Sequence, residues 1–297
     1  MKTIIIDGNN TAFQALGKAP LFYKGQRTEV IKITLAMIRS YVERFNPDQI
    51  MVVWDGGRDE RRKSIYPEYK RKKRDWTEAE KVERDILFTQ MRQLVPVIQG
   101  LCLSQFKINY REGDDTIFTL LSQEWAPAGE RIVISTDQDM FQLLHYFSDV
   151  RIFSPIKKLE IDADWVEQEF GIPITQFTFY KALVGDASDN IPGIRGIGPK
   201  KAVKLIEEMG HVKSTKEGKK LILTALKDED ELARQLTLVT LMTIPEEEMA
   251  EGCICPGPVT ELQEHVMRFA EQYGFDHILD HFDNFVAPFE KMAMRAK

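Results

Sequence analysis

The sequence is poor in cysteine and histidine, with 3 Cys and 5 His among 297 residues. Three thiols cannot all pair, and Cys253 and Cys255 stand one residue apart with Cys102 far away. A disulfide framework is therefore excluded and reduced thiols are expected. A Cys-x-Cys pair could join His265, His277 or His281 at a soft metal, but no zinc-type spacing links them. Long apolar runs are missing too. The opening "MKTIIIDGNN" meets an acid too early for a secretion signal, and no stretch nears the roughly 18 apolar residues that span a bilayer. An intracellular protein without a membrane partner is expected. Repeats and low-complexity tracts are absent. So is a net positive charge: 40 Lys and Arg against 46 Asp and Glu give −6, which taken alone argues against a polyanionic partner.

What is present has the balance of an ordinary globular chain, 43% hydrophobic and 29% charged, enough for one large or two modest domains. Short β-rich apolar runs alternate with stretches of helical period. That pattern predicts an α/β fold, a mostly parallel central sheet flanked by helices. "TIIID", "IMVVWD", "RIVISTD" and "VRIF" read as buried strands, and "LSQFKINY" as a weaker one. Helical spacing runs through 26–46, 78–99, 113–125 and 138–147, and right-handed crossovers follow from that order. After about residue 174 helical patterns take over, in "ITQFTFYKALVG", "PKKAVKLIEEMG", "DEDELARQLTLVTLM" and "VTELQEHVMRFAEQYG". The expected division is an α/β unit over 1–180 and a helical region over 181–297.

Acids close the strands. Asp7 follows "TIII", Asp55 follows "MVVW", and Asp137 and Asp139 follow "IVIST". Residues just past the carboxyl ends of parallel strands meet in one crevice, so acids distant in sequence converge there. "REGDD" adds Glu112, Asp114 and Asp115 at a helix start, and "GDASDN" adds Asp186 and Asp189. Each alone is equally well a helix N-cap or a turn former. Together they repel one another unless a hard cation holds them. Oxygen ligands without His or Cys point to Mg²⁺ or Mn²⁺, and two ions about 4 Å apart clamp the attacking and leaving oxygens of a phosphodiester displacement. With those nine acids set aside the formal charge of −6 becomes +3, compatible with a polyanionic substrate.

Two further segments suit nucleic acid. Residues 56–76 are polar, poor in core residues and basic, with Arg58, Arg61, Arg62, Lys63, Lys70, Arg71, Lys72, Lys73 and Arg74. Tyr66, Tyr69 and Trp76 are interleaved, and cations beside rings suit a single strand. The bland alternative is a solvated loop. "NIPGIRGIGPKKAVKLIEEMG" is the second: Gly193, Gly196 and Gly198 allow a tight turn with exposed amides, Pro199 opens a helix, and Gly210 suits its C-cap. Amides at a helix start bind phosphate without reading bases, and Lys200 and Lys201 add charge there.

These motifs together resemble the 5′ nuclease (flap endonuclease) superfamily, over about residues 3–210. "VGDASDNIPGIRGIGPKKA" is similar to its helix-three-turn-helix, "REGDD" and "VISTDQDMFQLL" to its metal motifs, and "YPEYKRKKR" to the foot of its helical arch. The resemblance implies two divalent ions, with Asp7, Asp55, Glu112 and Asp114 nearest one. Asp137, Asp139, Asp186 and Asp189 lie toward the other, and Asp115 between them. It implies that Lys70 acts on the scissile phosphate, and that Arg62, Tyr69, Lys73 and Arg74 belong to an arch over a free 5′ strand. Gly196, Gly198, Lys200 and Lys201, about 190–210, would grip the adjoining duplex, with K⁺ on the hairpin carbonyls as in relatives. The implied activity is 5′-3′ exonuclease and flap endonuclease action on branched DNA and RNA/DNA hybrids in replication or repair. A monomer in the cytoplasm of a prokaryotic or phage-infected cell, alongside replication proteins, would carry it out. Three positions depart from the family pattern: Gln14 and Lys73 stand where relatives carry Arg, and Lys201 where Thr is common. The competing readings are an inactive junction binder and a PIN-type ribonuclease.

Overall fold

A computed structural model describes residues 1–16, 18–71, 75–209 and 229–295. The chain opens with β1 (Lys2–Asp7), α1 (Gly8–Ala15), a small hairpin of β2 (Phe22–Tyr23) and β3 (Gln26–Arg27), and α2 (Glu29–Phe45). There follow β4 (Gln49–Trp54), α3 (Glu60–Ile65), α4 (Glu78–Gly100), β5 (Ser104–Lys107) and α5 (Gly113–Ser122). Next come β6 (Glu130–Ile134), α6 (Leu143–Tyr146), β7 (Val150–Ser154) and β8 (Leu159–Ile161). Then α7 (Ala163–Phe170), α8 (Phe177–Val184), α9 (Pro199–Met209) and several later helices follow, with a short β9 (Cys253–Ile254) among them.

The strands form one sheet in the order β8-β7-β6-β1-β4-β5-β9. The four central pairings are parallel, and only β8 and β9 at the edges run antiparallel. Strands buried on both faces need continuous apolar runs, which is what "TIII" and "IMVVW" supply. Alternate residues then serve opposite cores. Ile4, Ile6, Ile50, Val52 and Trp54 pack with α2 and α4, whereas Ile5, Met51 and Val53 pack with α5 and α8. The mostly parallel sheet flanked by helices is the architecture expected.

Local sequence signals set several boundaries. Thr77 and Glu80 make a reciprocal capping box at the start of α4. Asn46 ends α2 in the left-handed region at φ 46°. Pro199 opens α9, where its missing N–H costs nothing; Gly210, its expected C-cap, lies outside the described residues. Segment 138–147 begins as a 3₁₀ turn, Gln138–Gln142, before α6. The helices Leu262–Tyr273 and Phe282–Arg295 return to cover α4 and α2, so the last part of the chain shares the core of the sheet's α2–α4 face.

Candidate active site

Strand register brings the acids together. Asp7 at the end of β1 pairs with Val53, two residues before Asp55, and Ile6 pairs with Ile134, three before Asp137. All three carboxylates therefore emerge at one edge of the sheet, as expected of parallel strands. The first turn of α5 is tied to that edge, because Gly113 N donates to Asp55 Oδ1 at 2.8 Å. The neighbouring Asp114 is the hub of the cluster. Its charge pushes up the pKa of Asp7, Asp55, Glu112, Asp137, Asp139 and Asp189 alike, in each case beside a larger effect of burial. Asp7 is lifted to about 8, with Asp55 as the nearest repelling charge. Glu112 and Asp139 are each lifted to about 7.

Two ammonium groups lie between the acids. Lys70 Nζ is 2.9 Å from Glu112 Oε1 and 3.4 Å from Asp189 Oδ2. Burial works against its charge, but Glu112, Asp114 and Asp189 outweigh burial and raise its pKa. Lys181 on α8 is 2.9 Å from Asp139 Oδ1 and 2.5 Å from Asp186 Oδ2. Although burial favours the neutral acid, hydrogen bonds from Lys181 and Ser188 hold Asp186 down at about 2. Asp139 shares Lys181 with Asp186, but burial and the Asp137 charge outweigh that cation and leave Asp139 raised.

The structure also corrects three sequence expectations. Arg62 does not face DNA: it is 3% exposed, and its guanidinium makes a bidentate pair with Asp115 at 2.6 and 2.9 Å. Asp115, 0% exposed, is consumed by that pair and by Met242 N, so it does not stand between two ions. Tyr69 is no stacking platform, because its ring is buried and its hydroxyl donates to Glu112 Oε2 at 2.7 Å. The basic segment is consequently less loop-like than its composition suggests. Asp59 is also buried, and Arg62 reaches the carbonyls of Leu238 and Thr240. Lys73 and Arg74 lie outside the described residues.

Other side chains in the pocket went unread. Asn9 Nδ2 donates to Asp55 Oδ2 at 2.8 Å. Asn10 accepts from Thr136 N and donates to the Thr136 hydroxyl, and Ser135 donates to Asp7, fastening β1 to β6. "DGNN" and "VISTD" carry these polar residues beside the acids, and the signal was there. Lys181 had none, since it sits in an apolar helical pattern five residues before its acid. Gln14 donates to Asn10 Oδ1 at 2.9 Å.

The glycine hairpin lies next to Asp186. Ile191, Ile194 and Ile197 are buried and pin it between α8 and α9, leaving Pro192, Arg195 and Gly196 exposed. Gly193 has φ 65°, and a Cβ there would stand 2.5 Å from Gly185 N. Gly196, at φ 85°, has open space where a side chain would be, as has Gly198. Lys200 and Lys201 are exposed, and Lys201 Nζ donates to Gly196 O at 2.8 Å.

Among the described residues no three His, Cys, Asp or Glu side chains are close enough to hold an ion as they stand, with Lys70 and Lys181 lying between the carboxylates. The donor chemistry nonetheless fits a hard divalent cation. Every donor is a carboxylate oxygen, and burial, with mutual repulsion added, raises the pKa of Asp7, Glu112 and Asp139 despite the two ammonium groups.

Comparison with known families resolves the kinship. The family model described as 5′-3′ exonuclease, N-terminal resolvase-like domain, matches residues 2–171, and that described as 5′-3′ exonuclease, C-terminal SAM fold, matches 172–250. The chain belongs to the 5′-3′ exonuclease family. This 5′-3′ exonuclease family member is 30% identical over 209 residues to flap endonuclease Xni of Shewanella denitrificans, covering 69% of this chain and 77% of the relative. It is 29% identical over 246 residues to DNA polymerase I of Caldicellulosiruptor bescii, covering 81% of this chain and 28% of the polymerase. The chain thus spans under a third of that relative's length. In fold it is similar to the D15 protein of bacteriophage T5, co-crystallised with metal ions, with a TM-score of 0.70 at 22% identity over 100% of both chains.

Proposed function

We propose that this chain is a structure-specific 5′ nuclease. It hydrolyses phosphodiesters near free 5′ ends and at flaps of branched DNA, and of RNA primers paired to DNA, in replication or repair. The observation that carries the reading is the gathering of Asp7, Asp55, Glu112, Asp114, Asp137, Asp139 and Asp189 around one sheet edge, with Lys70 and Lys181 among them. The names of the relatives, an exonuclease family and a flap endonuclease, agree with it.

Divalent cations, Mg²⁺ or Mn²⁺, when bound by these carboxylates supply Lewis acidity and a nucleophilic water. The chain's own residues do the rest. Lys70 offers a charged ammonium to the reacting phosphate, and Lys181 keeps Asp186 ionised and oriented. Asn9, Asn10 and Ser135 fix the carboxylates of Asp55 and Asp7 at the strand ends. The open amides at Gly196 and Gly198, with Lys200 and Lys201, hold the backbone of the adjoining duplex. Potassium on the hairpin carbonyls belongs to the same reading, although Lys201 already engages one of them. The protein acts as a monomer in the cytoplasm, beside replication proteins.

The test is cleavage of a labelled 5′-flap duplex with Mg²⁺, set against single-stranded RNA of the same sequence. Cutting of the flap near the junction to leave a 5′-phosphate is the expected result. Binding without turnover in both Mg²⁺ and Mn²⁺ would favour an inactive junction binder, and preference for the RNA a PIN-type ribonuclease.

A further inference from the structure

A groove of about 700 Å³ lies apart from the acid pocket, between α1, α2 and the turn that joins β7 to β8. Its floor is apolar, formed by Ile33, Met37 and Ile156 above the buried rings of Tyr41 and Phe153, and its rim carries Lys18, Arg44 and Lys158. No acid lines it, a local reversal in a chain whose formal charge is −6. Among the described residues none of the three cations is in an ion pair; Arg44 instead lies over the Phe153 ring at 4.6 Å. Tyr41 is 4% exposed, and its hydroxyl has no hydrogen-bond partner among the described residues. Burial keeps that hydroxyl protonated, with its pKa pushed up to about 12, so it is a donor in want of an acceptor.

The groove communicates with the acids. Gln14 lines one end of it and donates to Asn10, whose backbone N–H donates to Asp7 Oδ1 at 2.9 Å. Unpaired cations at the rim of an apolar floor match a phosphate joined to a base, and the volume exceeds that of one nucleotide. Position narrows the choice of strand. The groove borders β7 and β8, at one end of the sheet, whereas the basic segment follows β4 on the other side of β1. The hairpin, in turn, packs with the opposite core. In the nuclease reading the basic segment takes the free 5′ strand and the hairpin the adjoining duplex, which leaves the groove to the continuous strand.

We propose that this groove binds one nucleotide of the uncut strand at a DNA junction, its base against Ile33, Met37 and Ile156 and its phosphates at Lys18, Arg44 and Lys158. The proposal rests on the nuclease reading above. It gives the chain a way to sense that a continuous strand passes the acid pocket, and so to distinguish a junction from a loose single strand.

Photo-crosslinking of the whole protein to a 5′-flap duplex tests it, with 4-thiothymidine placed at the junction in either the uncut or the cut strand. The expected result is a crosslink from the uncut strand to peptides within 29–45 or 150–158. A crosslink there from the cut strand alone, or none at all, would overturn the proposal. As a second measurement, Arg44→Gln with Lys158→Gln should raise Kd for the flap about tenfold and lower the salt slope by about 2. Unchanged Kd and slope would also overturn it. Should the wild type cut the flap while both measurements fail, only the groove assignment falls. If the wild type neither binds nor cuts, the nuclease reading falls and this one with it.

Discussion

Raising the pH without divalent cations should loosen the acid pocket, and Asp7 sets the scale of the effect. Burial, then repulsion from Asp55 and Asp114, lifts its carboxyl from 3.8 to about 8. The folded chain therefore holds this proton more tightly than the unfolded chain does. Its contribution to stability is complete below about pH 4 and is lost as pH rises through about 8. That difference corresponds to about 5 kcal/mol at full ionisation, a large share of a typical folding free energy. Divalent cations bound by the same carboxylates reverse the repulsion, so their stabilising effect should grow with pH. Urea denaturation followed by tryptophan fluorescence, at about pH 5.5 and about pH 8.5, with Mg²⁺ or with chelator, measures this directly. The stability gap between Mg²⁺ and chelator should widen by several kcal/mol at the higher pH. Asp7→Asn, which has no proton to lose, should narrow it again. A gap of equal size at both pH values, or one that closes as pH rises, would refute the reasoning.

Lys181→Met should release Asp186 from its depressed value near 2 and raise Asp139 further, moving the acidic limb of the pH–rate profile upward; stopped-assay rates across pH would reveal it. Arg62→Ala should destabilise the fold by about 3 kcal/mol in urea, because the buried Asp115 carboxylate loses its bidentate partner and keeps only Arg61 and Met242 N, whereas Arg62→Met with Asp115→Leu should recover part of the loss. Lys200→Ala with Lys201→Ala should weaken duplex binding and flatten its salt dependence by about 2 units of slope, seen by fluorescence anisotropy across salt concentrations. Lys70→Ala should lower kcat in the flap assay and push the Glu112 carboxyl further up, because its counter-charge at 2.9 Å is gone.

The framework was legible because parallel strands end at one edge, so acids that follow "TIII", "MVVW" and "IVIST" have nowhere else to go. The hairpin was legible because its glycines and buried isoleucines alternate in a pattern with one structural meaning. Where reading failed, neighbours in sequence face different ways. Asp114 and Asp115 are adjacent, but the first turn of α5 directs one at the acid cluster and the other at Arg62. The basic segment read as surface because charge dominates it. Asp59, the N-cap of α3, nevertheless pairs with Arg62, and Arg62 with Asp115 across a tertiary contact that composition does not encode. Lys181 was hidden by apolar neighbours on α8. β8 and β9 were missed because edge strands of two or three residues carry too little pattern.

The central claim is that carboxylates spread from Asp7 to Asp189 make one pocket for divalent ions. Titration of the protein with Mn²⁺, counted by loss of the free-ion electron paramagnetic resonance signal, tests it most directly. Two bound ions in the wild type and a marked loss of binding in Asp114→Asn, with the fold intact by circular dichroism, are the predicted result. No binding in the wild type, or undiminished binding in Asp114→Asn, would contradict it.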